Sequence, residues 1–239
     1  MNRLQNKVAL VTGAGRGIGR AIALSLAKTG CRVVLTARTA TQLESVQSEI
    51  QGNGGHALSV PSDLTRDEEI DRLVAETQRC YGAVDILINN AGWGKKSTVV
   101  RANVSDWDQT LRVNLRAPMV LVRLLLPSMI EQKSGAVINI SSVSGKSGEA
   151  GSSAYAASKF GMIGFTQSLY EEVREYGIKV SVILPGFVDT PMIPHVKHLD
   201  RSKMIRPEDV AEAVLFVLNS SPASCPVEMT LRPQRTPYR

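Results

Sequence analysis

Three cysteines, Cys31, Cys80 and Cys225, are all the thiols this 239-residue chain carries, an odd number at wide spacings. They form neither a disulfide framework nor a Cys-x-x-Cys metal pair, so reduced structural thiols are expected and no metal is. Aromatic residues are also scarce, at 5%. The bases gather at Lys95-Lys96, at Lys197 to Arg206 and at Arg232, Arg235 and Arg239, with no aromatic series interleaving them as a single-strand binder requires. The net charge of +6 therefore permits an anionic partner without pointing to nucleic acid. Long apolar runs are missing as well: Met119 to Leu126 is interrupted by Arg123 and followed by Pro127, short of the roughly 18 apolar residues of a membrane span. The first apolar run, Val8 to Val11, begins almost at once, leaving no room for a secretory leader. A cytoplasmic protein without membrane or nucleic-acid partners is the expectation.

What is present is an alternation. Val8–Val11, Arg32–Thr36, Ala57–Val60, Asp85–Ile88, Ala136–Ile140, Lys179–Ile183 and Val227–Leu231 read as seven strands, and most are apolar almost throughout, which predicts burial on both faces. Segments near 17–29, 40–51, 66–80, 105–132, 152–175 and 207–219 have helical period and length. Such alternation predicts an α/β fold, a single doubly wound Rossmann-type domain over 1–239, with a seven-stranded parallel sheet and helices on both faces. Ligands of such folds bind beyond the carboxyl ends of the strands. One connection, 187–206, is long for a compact domain and carries prolines and histidines; it is read as a substrate lid that shapes the pocket together with the loop near Trp93, with an irregular surface excursion as the alternative.

Two motifs bear chemistry. The turn Thr12-Gly-Ala-Gly-Arg-Gly-Ile-Gly19 follows a strand and opens a helix, where glycines let the backbone approach a pyrophosphate and the helix start offers free N–H groups. Its Gly13-x-x-x-Gly17-x-Gly19 spacing departs from G-x-G-x-x-G, and a tight structural turn explains it equally. Tyr155 and Lys159, four residues apart, fall on one helix face. A phenol titrates near 10, and a neighbouring cation favours phenolate and lowers that value towards neutrality. Alone, the pair is equally two polar residues on a solvated face.

In combination, Thr-Gly-x-x-x-Gly-x-Gly at 12–19, Asn89-Asn90-Ala91-Gly92 after the fourth strand, Ser142 after the fifth, Tyr155-x-x-x-Lys159, and Pro185-Gly186 after the sixth resemble the short-chain dehydrogenase/reductase family, in order and spacing from about residue 5 to 220. The resemblance implies four catalytic residues. Tyr155 is the acid that protonates a carbonyl oxygen as hydride arrives, and Ser142, thirteen positions before it and favoured over Ser141, polarises the same oxygen. Lys159 lowers the phenol's pKa and meets the nicotinamide ribose, and Asn114 bends its helix and holds a water that relays protons to the lysine. It also implies cofactor contacts from Gly13, Gly15, Arg16, Gly17, Ile18 and Gly19 of the turn. Further contacts come from Asp63 and Leu64 at the adenine, from Asn90, Ala91 and Gly92, from Tyr155 and Lys159, and from Pro185, Gly186, Val188 and Thr190 near the nicotinamide. For Asp63 a helix cap is the competing role.

Charge decides the cofactor. The second strand ends Leu35-Thr-Ala-Arg38 with no acid for a ribose diol, while Arg16 and Arg38 suit a 2′-phosphate, so NADP(H) is expected. The implied activity is hydride exchange between NADP(H) and a small carbonyl or alcohol substrate. Within the family the 12–19 fingerprint and Ser142 to Gly145 resemble 3-oxoacyl thioester reductases. The ending, Glu228 to Arg239, lacks their Val-Asp-Gly-Gly segment, which leaves other ketones, aldehydes, sugars and steroids open. A non-catalytic NADP-sensing protein is the alternative of a different class. The resemblance further implies a homodimer or homotetramer paired through helices near 105–132 and 152–175.

Overall fold

The seven apolar runs become the strands β1 (Val8–Thr12), β2 (Arg32–Thr36), β3 (His56–Ser59), β4 (Ile86–Asn89), β5 (Gly135–Ile140), β6 (Ile178–Pro185) and β7 (Glu228–Leu231). The structure is a computed structural model that describes residues 3–193 and 199–238. All strands pair in parallel, in the order β3-β2-β1-β4-β5-β6-β7. Every side chain of β1 is buried, yet the two faces are distinct: Ala9 and Val11 join one core cluster, Val8 and Leu10 the other, as the two-residue strand period requires.

Helices α1 (Gly17–Lys28), α2 (Ala40–Gly52) and α7 (Pro207–Asn219) cover the first face; α3 (Asp67–Tyr81), α5 (Ala117–Gln132) and α6 (Ser153–Val173) cover the second. Several starts are written locally. Asp67, Glu68 and Glu69 place three acids in the first turn of α3, against the positive end of its dipole. Pro207 opens α7, and Asp209 accepts from the Arg206 N–H. Burying each Leu or Ile of these faces stabilises the fold by about 1.5–3 kcal/mol.

The expected helix over 105–132 is not one regular helix. α4 (Val104–Leu111) and α5 are joined by a π-helical turn, Arg112–Arg116, centred on buried Asn114. Neither Arg123 nor Pro127 ends α5, so Val104–Gln132 is a 29-residue helical run long and apolar enough, on length and composition, to cross a bilayer. Here its apolar side, including Leu121, Leu125 and Met129, is buried in the second core cluster, as in the core helix of a globular protein.

The strand order reverses between β1 and β4, and this seam is held by one hydroxyl. Thr12 Oγ1 accepts from the N–H groups of Asn90 and Ala91, both at 2.9 Å, and donates to the Ile88 carbonyl at 3.3 Å. The Asn90 amide returns a bond to the Thr12 carbonyl at 2.8 Å. A further polar ladder crosses the core from Asn89 to Asn139 and on to Thr166 of α6, each step 2.9 Å.

Thr12→Val is isosteric but leaves two backbone donors without their acceptor, so we expect it to lower the urea-unfolding free energy by about 2 kcal/mol. A loss below about 0.5 kcal/mol would show that water replaces the hydroxyl at no cost.

Candidate active site

A cleft of about 280 Å³ opens at the carboxyl ends of β1 and β4, where a doubly wound sheet binds its ligand. Its wall brings together Gly13, Gly15, Arg16, Gly17, Ile18, Arg38, Asp63, Leu64, Asn90, Ala91, Gly92, Tyr155, Lys159 and Thr190, fourteen of the positions read from the sequence. Ala37, Gln42, Ser62, Gln109 and Val113 join them without having been singled out, and Trp93 and Met192 come from the two segments expected to shape the substrate pocket. Gln42 carried a usable signal, in the first turn of the helix after Arg38; Gln109 is delivered by α4, Val113 by the π turn and the rest by loops.

The glycine turn is shaped by contact. Gly13 and Gly17 have positive φ, +66° and +55°. Gly19 does not face the cleft. A Cβ there would lie 2.2 Å from the Gly13 carbonyl oxygen and 2.4 Å from the Asn90 amide, so this glycine lets α1 pack against the turn. No side chain caps the start of α1, which leaves its first N–H groups directed into the cleft end. Arg16 and Arg38 are exposed on the cleft wall, and neither takes part in an ion pair among the described residues.

Asp63 accepts from the N–H and hydroxyl of Thr65 at 3.0 and 2.9 Å, shaping a turn rather than capping α3, whose start falls at Arg66. Pro185, Gly186 and Val188 also stand behind the wall. Pro185 pairs with Leu231 in the sheet, Gly186 donates to the Leu231 carbonyl at 2.8 Å, and buried Val188 bridges to Ile205. They position Thr190, which lies against Gly17.

At the other end α6 presents Tyr155 and Lys159. Lys159 is only 4% exposed, its Nζ donates to the Ile140 carbonyl at 2.9 Å, and it lies 5.6 Å from the centre of the Tyr155 ring. Burial pulls this ammonium down to about 8. The Tyr155 phenol moves the opposite way from the expectation. Burial pushes it above its ordinary value, and a hydrogen bond with the Ser142 hydroxyl only partly offsets that. The physical reason is visible: the lysine directs its donor at Ile140 and is itself weakened as a cation by burial.

The two serines are told apart. Ser141 Oγ donates to the Lys159 carbonyl at 3.1 Å, whereas Ser142 reaches the phenol and also accepts from the Ser144 N–H at 3.1 Å. Ser142 and Asn114 lie behind the wall. The Asn114 amide accepts from the Trp93 N–H at 2.8 Å and donates to the Trp93 carbonyl and Ser158 hydroxyl at 2.9 and 3.0 Å. Both its N–H groups are thus committed, and a water held at this residue would have to donate to one of its carbonyl oxygens.

Of the loop read as a lid, residues 194–198 lie outside the described residues. Its flanks are tied down. Arg201 bonds Asp189 and the carbonyls of Thr190 and Ile193, the latter two at 3.0 and 3.1 Å. The chain's ending also reaches this loop: Tyr238 meets Phe187 edge-on at 5.4 Å, and Asp200 donates its N–H to the Pro237 carbonyl at 2.7 Å.

Comparison with known proteins finds relatives along almost the whole chain. A family model described as short chain dehydrogenase matches residues 7–200. An uncharacterised oxidoreductase of Staphylococcus aureus (strain MRSA252) is 39% identical over 233 residues, 98% of this chain and 100% of the relative. A 3-oxoacyl-[acyl-carrier-protein] reductase of Synechocystis is 37% identical over 231 residues, 94% and 93% of the two chains. The crystal structure of a metagenomic short-chain oxidoreductase in complex with NADP superposes with a TM-score of 0.86 at 37% identity, covering 98% of this chain and 99% of that one.

The buried ammonium carries a stability signature. Its folded value near 8 lies below the unfolded value near 10.5, so between them the unfolded state binds more protons and stability rises with pH. Lys159→Met should remove that slope and raise the unfolding free energy at pH 7 by about 2 kcal/mol, some 3 from the pKa gap less about 1 for the lost bond to Ile140. Tyr155, held high by burial, acts in the opposite sense only above about pH 10, while Cys31 and Cys225, also raised by burial, oppose the lysine slope from about pH 9 and Lys179, lowered by burial, adds to it, so the difference between wild type and Lys159→Met in urea unfolding at pH 7 to 9.5 isolates the lysine. An unchanged slope would refute this.

Proposed function

From the premise that the chain belongs to the short-chain dehydrogenase family, we propose that it is an NADP(H)-dependent oxidoreductase interconverting a carbonyl and an alcohol, with Tyr155 as acid and base. The observation that carries this is one cleft whose wall holds a phenol, bonded from behind by the Ser142 hydroxyl, and a buried ammonium, together with a glycine turn and two arginines that have no ion-pair partner among the described residues.

The residues fit the cofactor. Positive-φ glycines and an uncapped helix start suit a pyrophosphate, and Arg16 and Arg38, without an ion-pair partner among the described residues, offer charge-assisted bonds to a 2′-phosphate. The bound complex of the metagenomic relative supports the same choice. When bound, the nicotinamide ring supplies the hydride or takes it back.

The chain's own groups handle the proton. Tyr155 holds it at its phenol oxygen and gives it to the carbonyl oxygen of the substrate. Ser142, bonded to that phenol, places a second donor where negative charge develops. Lys159 stands 5.6 Å from the centre of the phenol ring, held there by the Ile140 carbonyl. In the reverse direction the phenol must lose its proton first, and its elevated free-state value makes oxidation the more alkaline reaction.

The name of the Synechocystis relative supports a 3-oxoacyl thioester as substrate. The tail bound to the 187–206 loop, where this chain departs from those reductases, supports a pocket of different shape, and we keep the coarser carbonyl class. Exposed Val100, Val104, Leu111, Met119 and Phe160 support self-association through α4 to α6.

A panel of ketones, aldehydes, sugars, steroids and acetoacetyl thioesters, followed by NADPH oxidation, tests the assignment. Tyr155→Phe should cut turnover on any active substrate by about 100-fold or more and leave NADPH affinity within about twofold. Turnover near wild type would remove the assigned acid. Arg38→Asp should shift the NADPH-over-NADH preference in kcat/KM by about 100-fold towards NADH. Equal efficiency of the wild type with both cofactors would defeat the phosphate role.

A further inference from the structure

The cleft wall changes character along its length. At the Arg16 and Arg38 end it is cationic. The lining also holds Trp93, Gln109, Val113 and Met192, and apart from Arg16 and Arg38 its positive charge among the described residues is Lys159, whose ammonium is turned onto the Ile140 carbonyl. Trp93 is not a loosely held loop residue. Its N–H and carbonyl are both bonded by the Asn114 amide. The next residue, Gly94, lies so close to the catalytic ring that a Cβ there would come within 2.9 Å of Tyr155 Cδ2. The backbone carrying the indole is thereby registered to the phenol on one side and to the π turn on the other. Gln109 enters the same wall from α4, and its amide has no hydrogen-bond partner among the described residues.

Resting on the reductase reading above, we infer that Trp93 is the specificity-determining residue of this site and that its substrate class is an uncharged ketone or aldehyde bearing a flat apolar substituent on the carbonyl carbon. An indole held at fixed register offers a planar apolar face for such a group. A carboxylate or phosphate beside the carbonyl would enter this wall without a described cation to pair with, and an unpaired charge removed from water is penalised heavily. The Gln109 amide provides one neutral polar contact for the substituent. The indole does not touch the proton; it decides which carbonyl is brought to Tyr155.

The test follows NADPH oxidation by acetophenone, acetone, phenylglyoxylate and an acetoacetyl thioester in the wild type, Trp93→Ala, Trp93→Phe and Gln109→Arg. The wild type should show its highest kcat/KM with acetophenone. Trp93→Ala should lower that value about tenfold or more, chiefly through KM, while acetone changes by less than about threefold; Trp93→Phe should restore most of the loss. Gln109→Arg should raise phenylglyoxylate relative to acetophenone by about tenfold. A wild-type preference for phenylglyoxylate or the thioester, equal losses for acetone and acetophenone in Trp93→Ala, or no rescue by phenylalanine overturns the inference and leaves the reductase reading intact. Turnover of other carbonyls but of no aryl ketone does the same. NADPH binding without oxidation by any carbonyl in the broader panel removes the reductase reading, and this inference with it.

Discussion

A lysine ammonium buried to 4% exposure is the constraint around which the catalytic end of this molecule is arranged. An ammonium withdrawn from water needs compensation, and here it comes from the Ile140 carbonyl at the end of β5. The same junction is bonded in the other direction, because Ser141, next in sequence to Ile140, donates its hydroxyl to the Lys159 carbonyl. The first turns of α6 are thus pinned to the end of β5 by a reciprocal pair. Gly145 lets the two approach, since a Cβ there would lie 2.8 Å from the Lys159 carbonyl oxygen. Tyr155, one turn earlier on α6, inherits its position from this attachment. The packing costs charge stability, as the depressed lysine value shows, and the catalytic end is accordingly less stable than an apolar core would be.

The opposite end solves a different problem, that of bringing backbone close to a ligand. Thr12, Gly13, Gly19 and Asn90 form one packed unit in which a threonine hydroxyl and an asparagine amide satisfy the polar groups left where β1 and β4 diverge. This explains why Asn90 belongs both to the scaffold and to the cleft wall. Its side-chain NH2 is committed to the Thr12 carbonyl and its backbone N–H to the Thr12 hydroxyl, so what it offers a ligand is shape and acceptor oxygens. The Asn89–Asn139–Thr166 ladder then ties β4 to β5 and α6, joining the seam to the catalytic helix through buried polar contacts rather than through apolar packing alone.

Strands and most helices were legible in the sequence because burial on both faces writes itself as uninterrupted β-branched runs between amphipathic segments; each strand was located to within about two residues. Gly13 and Gly17 were legible for the same kind of reason, a backbone demand only glycine meets cheaply. The π turn at 112–116 was not legible as geometry, since a single wide turn leaves the apolar period of the flanking helices nearly unchanged. Gly19 was assigned to the ligand and belongs to packing, a distinction that depends on where a Cβ would point in three dimensions. The loop near Trp93 was expected to shape the pocket, but without a readable code for what it admits, and Gln109 escaped notice because it lies on an ordinary amphipathic helix. The elevated Tyr155 value was beyond reach from spacing alone. Four residues between phenol and ammonium fix proximity, but enclosure decides the sign, and enclosure is a property of the whole fold.

These parts divide the labour of the molecule. Proton chemistry and the glycine turn are built on elements locked into the sheet. The surfaces that would meet a substrate come from the segment after β4, from α4 and from the segment after β6, three pieces far apart in sequence. Each is anchored at its root: Trp93 by Asn114, the 187–193 stretch by Arg201, and Leu199 and Asp200 by the tail through Tyr238 and Pro237. Anchoring at the root with freedom at the wall allows specificity to vary without disturbing Lys159 or Tyr155. The unusual ending of this chain acts at such a root. It packs on Phe187 and bridges Leu199, so the last dozen residues touch the base of this loop and not Lys159 or Tyr155 among the contacts described.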